Sequence, residues 1–218
     1  MLASLPSFFS MFRCAPGMVE NKVMLLCFAA ALICPLCVSA GAQMSQACSA
    51  VSPPLWPLRF KVLQRKIPRD DPDCKKGTCS NVTTYYDWER QANLIIDTPD
   101  LPGPEGAMWD LELGNSHSYY IHPAVRGCFF MKFPVGILKR DWLANATSLG
   151  SSIISGRKVF GWTKLDFIDY YADAEDCSPV AWYFHSMRTS FNTTMYFDGE
   201  AVPSEDLFQP PAYCPNRS

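Results

Sequence analysis

Charge is scarce in this chain and nearly balanced: 19 Lys and Arg face 21 Asp and Glu, a formal net of −2. The basic residues are dispersed, so there is no electrostatic footprint for nucleic acid. Histidine is scarcer still. Three are present, His117, His122 and His185, and the first two lie five residues apart, an odd offset that sends them to opposite faces of a strand. No G-x-S-x-G elbow accompanies them, which leaves a nucleophile–base pair without its frame. No βαβ pattern is present to bind a nucleotide, and no EF-hand loop, internal repeat or low-complexity tract occurs. After the first forty residues no apolar run is long enough to span a bilayer, which takes about 20 residues.

What is present begins with an export signal. Lys22 precedes the apolar run Val23 to Cys37, and Val38-Ser39-Ala40-Gly41-Ala42 supplies small residues for cleavage after Ala40 or Ala42. The run is shorter than a membrane span. The expectation is a signal peptide over residues 1–42 with a long front end, Met18 or Met24 being alternative starts and an uncleaved signal anchor the one route to a membrane. Residues 43–218 then form a single domain, expected to be a soluble, extracellular product.

Of ten cysteines, Cys14, Cys27, Cys34 and Cys37 fall in the leader. Cys48, Cys74, Cys79, Cys128, Cys177 and Cys214 remain, an even number that reads as three disulfides in a secreted chain. That part holds no C-x-x-C and its histidines are scattered, which argues against zinc. Sequons at Asn81, Asn145, Asn192 and Asn216 mark candidate glycosylated surface loops.

Strand signals dominate the domain. Leu58 to Val62 and Trp109 to Leu113 alternate cleanly, so each is expected to bury one face. Asn81 to Trp88, Asn93 to Asp97, Ser116 to Ile121 and Cys128 to Phe133 are β-branched or aromatic runs bounded by Gly, Pro or Asn. A long candidate, Lys158 to Ala172, has a periodicity break at Phe167-Ile168 that suggests a β-bulge. Val180 to His185 and Ser190 to Phe197 follow. Asp141 to Ala146 and Ser204 to Phe208 look like short helical turns; Ile67 to Thr78 and Thr98 to Gly106 are loops. About nine strands at hairpin spacing predict a mainly β fold of two stacked, curved antiparallel sheets, a sandwich or half-barrel.

The C-terminal stretch carries a resemblance. Asp176-Cys177-Ser178-Pro179-Val180 opens it and Leu207-Phe208-Gln209-Pro210-Pro211-Ala212-Tyr213-Cys214 closes it. This resembles the closing cassette of the ependymin-related proteins. Cys48 before Pro53-Pro54-Leu55-Trp56, Thr84-Tyr85-Tyr86-Asp87 before Asn93-Leu94-Ile95-Ile96, and Cys128 before Phe133-Pro134-Val135 and Asn145-Ala146-Thr147 extend it. A closer likeness is to uncharacterised secreted plant and algal proteins sharing Tyr85-Tyr86-Asp87-Trp88, Val135-Gly136-Ile137-Leu138 and Asp141-Trp142-Leu143. Some of those carry a glycosyl-transfer label that their sequences do not obviously support. The ependymin resemblance implies a secreted glycoprotein with a deep hydrophobic pocket, lipid-like ligands and calcium binding. It further implies the pairings Cys48–Cys177 and Cys128–Cys214, leaving Cys74 with Cys79. The family's own third bridge uses a cysteine beyond the last proline motif, which this chain lacks.

Aromatic residues either fill a core or line such a pocket. Phe160, Trp162, Leu165 and Phe167, with Trp182 and Phe184, are the pocket candidates. For calcium, Asp169, Asp173, Glu175 and Asp176 gather hard oxygen ligands at a strand end and turn; the plain alternative is a solvated acidic turn. Asp70-Asp71-Pro72-Asp73 reads as solvated surface. The expected function is non-catalytic binding of an apolar or amphipathic, lipid-like small molecule, with no catalytic residue nominated and dimerisation left open. A carbohydrate-active enzyme with acids in a cleft and a cell-wall or matrix interaction module are the alternatives.

Overall fold

The computed structural model describes residues 48–199 and 204–215, with the backbone alone at Glu205. Residues 1–42, expected to be a signal peptide, and Asn216 lie outside the described residues. Those residues form eleven strands: β1 (Arg59–Pro68), β2 (Ser80–Asp87), β3 (Ala92–Pro99), β4 (Met108–Leu113), β5 (His117–His122), β6 (Gly127–Lys132), β7 (Thr147–Ile154), β8 (Arg157–Lys164), β9 (Ile168–Asp173), β10 (Pro179–Phe184) and β11 (Thr189–Asp198). Short 3-10 turns at Pro123–Val125 and Glu205–Phe208 are the helical content.

The mainly β expectation holds. Instead of two stacked sheets, however, all eleven strands belong to one antiparallel sheet, ordered β6-β5-β4-β3-β2-β1-β11-β10-β9-β8-β7. Two local readings change with it. Lys158 to Ala172 is a hairpin rather than a bulged strand, because Leu165 and Asp166 both take left-handed backbone angles (φ 53° and 51°). Two consecutive left-handed residues give a type I′ turn, usually written in Asn and Gly. Asp141 to Ala146 closes as hydrogen-bonded turns without becoming a helix.

Residues paired across antiparallel strands share a face, so the register sorts the side chains. Trp162, Tyr170, Trp182, Phe191, Lys66 form one connected row, and Tyr196, Val62, Thr84, Ile95, Asp110, Tyr120 another. The first row passes onto β1 beside Phe60, Val62 and Gln64, so both rows lie on the same side, called here the first face. Leu94, Leu111, Tyr119 and Phe130 are paired on the opposite, second face.

The two halves of the sheet bury opposite faces. On the first face, Phe60, Val62, Tyr86, Trp162, Tyr170 and Trp182 form an aromatic core. Trp56 is its hub: its ring meets those of Phe60, Tyr86, Trp142, Tyr170 and Trp182 at centroid distances of 5.1, 5.1, 5.4, 6.2 and 5.9 Å. The segment 133–146, which joins the two edge strands β6 and β7, supplies Ile137, Trp142 and Leu143 to this core. It is tied down by Tyr86 Oη donating to Leu138 O (2.8 Å), Trp56 N to Arg140 O (2.9 Å) and Arg140 Nε to Trp56 O (2.7 Å). At Gly136 (φ 57°) a Cβ would sit 2.9 Å from the carbonyl oxygen of Leu113, so the segment touches the β4–β5 turn through a glycine.

On the second face, Ala92, Leu94, Leu111, Tyr119 and Ile121 are covered by Phe208 and Cys214 of the C-terminal segment. Arg90 lies over the Phe208 ring at 5.8 Å and Arg126 over Tyr213 at 5.4 Å. Three disulfides are formed, Cys48–Cys177, Cys74–Cys79 and Cys128–Cys214, with Cα–Cα distances of 5.0, 5.4 and 5.2 Å, and the last fastens the C-terminal cover. The pairing is the one implied by the ependymin resemblance.

Asp71 corrects the reading of its acidic loop. It is buried, accepting from Lys76 N (3.1 and 3.0 Å), Thr78 N (3.3 Å) and Thr78 Oγ1 (2.9 Å). Burial opposes its charge, but the Lys76 and Thr78 donors outweigh it and hold the carboxyl below the usual carboxylate range.

Candidate functional site

The residues nominated for a pocket separate. Trp162 and Trp182 are core, 0% and 8% exposed, and Phe160 and Phe184 pack half-buried around them. Leu165 and Phe167 stand out on the β8–β9 turn, 87% and 52% exposed, with Phe167 against the edge of Phe184 at 5.5 Å. A recess beside Trp56, Phe60, Tyr170 and Tyr196 measures about 20 Å³, room for one water.

Of the acids nominated for calcium, Asp169 stands apart while Asp173, Glu175 and Asp176 line one recess. Asp169 meets His185 Nε2 at 2.9 Å. Asp173 is held by Arg157 at 2.7 and 2.9 Å and by the Glu175 amide at 2.8 Å, while Asp176 accepts from the Ser178 amide at 2.8 Å. Burial works against the Asp173 charge, yet the Glu175 amide and Arg157 keep its carboxyl low. An open polar recess of about 420 Å³ lies here, lined by Arg157, Lys158, Asp173, Glu175 and Asp176. Among the described residues no three of His, Cys, Asp and Glu are gathered to hold a metal. Of the sequons, Asn81 and Asn145 are exposed, whereas Asn192 is half-buried within β11 between Arg65 and Ala181.

The first face holds a constellation that sequence reasoning missed. Moving from the aromatic core across β1 to β5, it turns polar. Gln64, Thr84, Asn93, Asp97 and Ser118 are all at least nine-tenths buried there, at 2, 4, 8, 9 and 1% exposure. Between them stand Asp110, Glu112 and Tyr120, half-buried, with Ile95, Met108 and Met131 as apolar neighbours. The register sets this grouping: Asn93 opposes Glu112, Ile95 opposes Asp110, Asp97 opposes Met108, and Tyr120 and Ser118 follow on β5.

Few of these groups are satisfied. Asn93 Nδ2 donates to Glu112 Oε2 at 2.8 Å, and Lys66 Nζ pairs with Asp97 Oδ2. Gln64 Oε1, Thr84 Oγ1, Asn93 Oδ1, Asp97 Oδ1, Asp110 Oδ1 and Ser118 Oγ are buried without a protein partner. Buried polar atoms are normally paired, and leaving one unpaired costs about 1–3 kcal/mol. Six of them lie on one continuous surface of the sheet.

The electrostatics agree. Burial, then the neighbouring Glu112, pushes Asp110 up to about 7. Burial also raises Glu112, an effect the Asn93 amide partly offsets. Tyr120 is raised by burial and then by both carboxyls. Groups shifted by desolvation and a like charge cluster at functional sites. The missed signal is double alternation: β4 sets Trp109, Leu111 and Leu113 against Met108, Asp110 and Glu112, and both sets are at least half-buried. A strand with one dry face leaves its acids in water; these are not.

None of the curated proteins matches the chain. A solved structure, that of an uncharacterized conserved protein from Thermus thermophilus, is similar at 7% identity and a TM-score of 0.48. The match covers 71% of this chain and 86% of that one, too loose to bear on function. Residues 55–214 match the family described as Domain of unknown function (DUF8395), and the chain belongs to that family.

Proposed function

We propose that this is a secreted, non-catalytic binding protein that holds an amphipathic, lipid-like ligand against the first face of its sheet. The carrying observation is the row of buried, partnerless polar atoms beside half-buried Ile95, Met108 and Met131. A ligand with an apolar body and a polar head matches both. Three disulfides fit an oxidising, extracellular compartment, and among the described residues no helix is long and apolar enough to cross a membrane.

The topology supports a trough. Neighbouring strands lie about 4.8 Å apart, so the edges of a flat sheet of this order would be separated by about 48 Å. Residues 133–146 could bridge that only when almost fully extended. Instead they turn repeatedly, with Gly136 N to Phe133 O at 2.9 Å, Trp142 N to Lys139 O at 3.1 Å and Ala144 N to Asp141 O at 2.7 Å. The sheet must therefore curl to bring β6 and β7 closer, wrapping the first face inward as a half-barrel does.

Each methylene buried contributes about 0.8 kcal/mol, so ten provide roughly 8 kcal/mol before ordering costs. Micromolar affinity is then the expected scale. Titration of the disulfide-intact protein with a hydrophobic dye and with fluorescent lipids bearing amine, hydroxyl or carboxylate heads should show saturable binding of at least one lipid in that range. Failure of every such probe to bind would remove the proposal.

A second reading is favoured by one observation. Asp110, near neutrality, stands two residues from Glu112 on the same face, about 7 Å along a strand, within the separation of paired glycosidase carboxyls. Hydrolysis of a glycoside by the wild type and its loss in Asp110→Asn would establish this reading over the first.

A further inference from the structure

We infer that the polar part of the first face is an amine site, in which an ammonium headgroup is held by Asn93 Oδ1, Asp110 and Glu112. This deepens the proposed amphipathic-ligand reading and rests on it for the position of the ligand's tail. The argument starts from which atoms lack partners. Gln64 Oε1, Asn93 Oδ1, Asp97 Oδ1 and Asp110 Oδ1 are amide or carboxyl oxygens. The amide oxygens and ionised carboxylates can only accept hydrogen bonds. Thr84 Oγ1 and Ser118 Oγ can do either. Asn93 opposes Glu112 and Asp110 stands two residues away, so their oxygens lie close enough to share one donor, and a compact one with several N–H groups serves them best.

Charge points the same way. Lys66 is committed to Asp97. Among the described residues neither Asp110 nor Glu112 has a basic side chain within ion-pair distance. Two half-buried acids with no counter-ion leave a deficit of positive charge that an ammonium supplies. A metal ion would supply it too, but no three metal-ligating side chains are gathered among the described residues. A neutral polyol would donate hydrogen bonds yet leave both carboxyls uncompensated.

The pH dependence distinguishes the two ligand types. The titratable and charged groups around Asp110 on this face are Glu112 on β4, Tyr120 and His122 on β5, and the Asp97–Lys66 pair from β3 and β1; Glu105 lies 3.8 Å from His122. An ammonium binds the ionised carboxylates. Affinity should therefore rise as pH climbs through about 7, where Asp110 ionises in the free protein. Between pH 5.5 and 8 the gain should be roughly ten- to thirtyfold, the proton no longer having to be displaced. A hydroxyl headgroup gives a flat or falling profile.

The test is calorimetric titration of the disulfide-intact protein with dodecylamine, dodecanol, dodecanoate and the tail-less 1,6-diaminohexane. Dodecylamine should bind at least tenfold tighter than dodecanol or dodecanoate, with the rising pH profile. The preference should vanish in Asp110→Asn with Glu112→Gln, checked for native disulfides and circular dichroism; if that variant misfolds, the wild-type pH profile decides. Equal binding of dodecylamine and dodecanol with a flat profile, or tightest binding of dodecanoate, overturns the amine site and leaves the amphipathic reading standing. Binding of 1,6-diaminohexane while no twelve-carbon ligand gains from its tail keeps the amine site and ends that reading. No binding of any of the four overturns the amine site outright.

Discussion

Trp162→Ala should cost about 3–5 kcal/mol of stability, the range for emptying an aromatic site in a packed core, and sharply reduce the yield of folded protein. The sequence suggests a pocket-lining role that truncation would leave foldable. In the fold Trp162 is 0% exposed, faces Tyr170 across β8–β9 and lies in the same cluster as Trp56, Leu143 and Trp182. Its indole N–H is buried without a partner, so Trp162→Phe removes an unsatisfied donor along with some volume and should cost much less. Urea denaturation with both variants is the measurement. An alanine variant that unfolds at the wild-type midpoint would show that this half of the sheet is not a packed core.

Replacing Cys128 and Cys214 with serine should cost about 4–5 kcal/mol in the chain-entropy view of a bridge that closes 86 residues. There is a local reason as well. This bond holds the C-terminal segment, with Phe208, over Leu94, Leu111, Tyr119 and Ile121. Releasing it uncovers an apolar patch on the second face. Amide exchange should accelerate in β3–β5 while β8–β10 stays protected, and hydrophobic dye binding should increase. The Cys74–Cys79 bridge closes only 5 residues, and its loop is independently organised around Asp71. Its removal should cost about 2 kcal/mol. Equal costs for the two bridges would contradict the covering role given to the C-terminal segment.

Most strands were legible because β-branched and aromatic runs between Gly, Pro and Asn are local signals. The hairpin inside Lys158 to Ala172 was not, because its turn is written Leu165-Asp166, and neither residue announces a left-handed backbone. Strand β7 escaped for a similar reason: Thr147 to Ile154 is an edge strand, exposed along most of its length, so it shows no buried alternation. The number of sheets lies beyond local signals altogether. It depends on β1 pairing with both β2 and β11, a long-range choice that propensity does not encode. The site was hidden by the rule that one strand face is dry and the other wet. Here each half of the sheet is covered on a different face, yet Asp110 and Glu112, on the parity that alternation assigns to solvent, are half-buried. The aromatic pocket candidates met the same ambiguity, since density of Trp and Phe marks burial without saying whether a core or a cavity does the burying.

Photo-crosslinking places the ligand most directly. The disulfide-intact protein is irradiated with a twelve-carbon amphiphile carrying a diazirine in its tail, and the labelled peptides are mapped by mass spectrometry, with and without excess unlabelled amphiphile. The expected labels fall on Ile95, Met108, Tyr120 and Met131, all on the first face, and competitor removes them. Labels confined to Leu63, Met195 and Phe197 on the opposite face of β1 and β11, or labelling that competitor leaves unchanged, would contradict a ligand site on the first face.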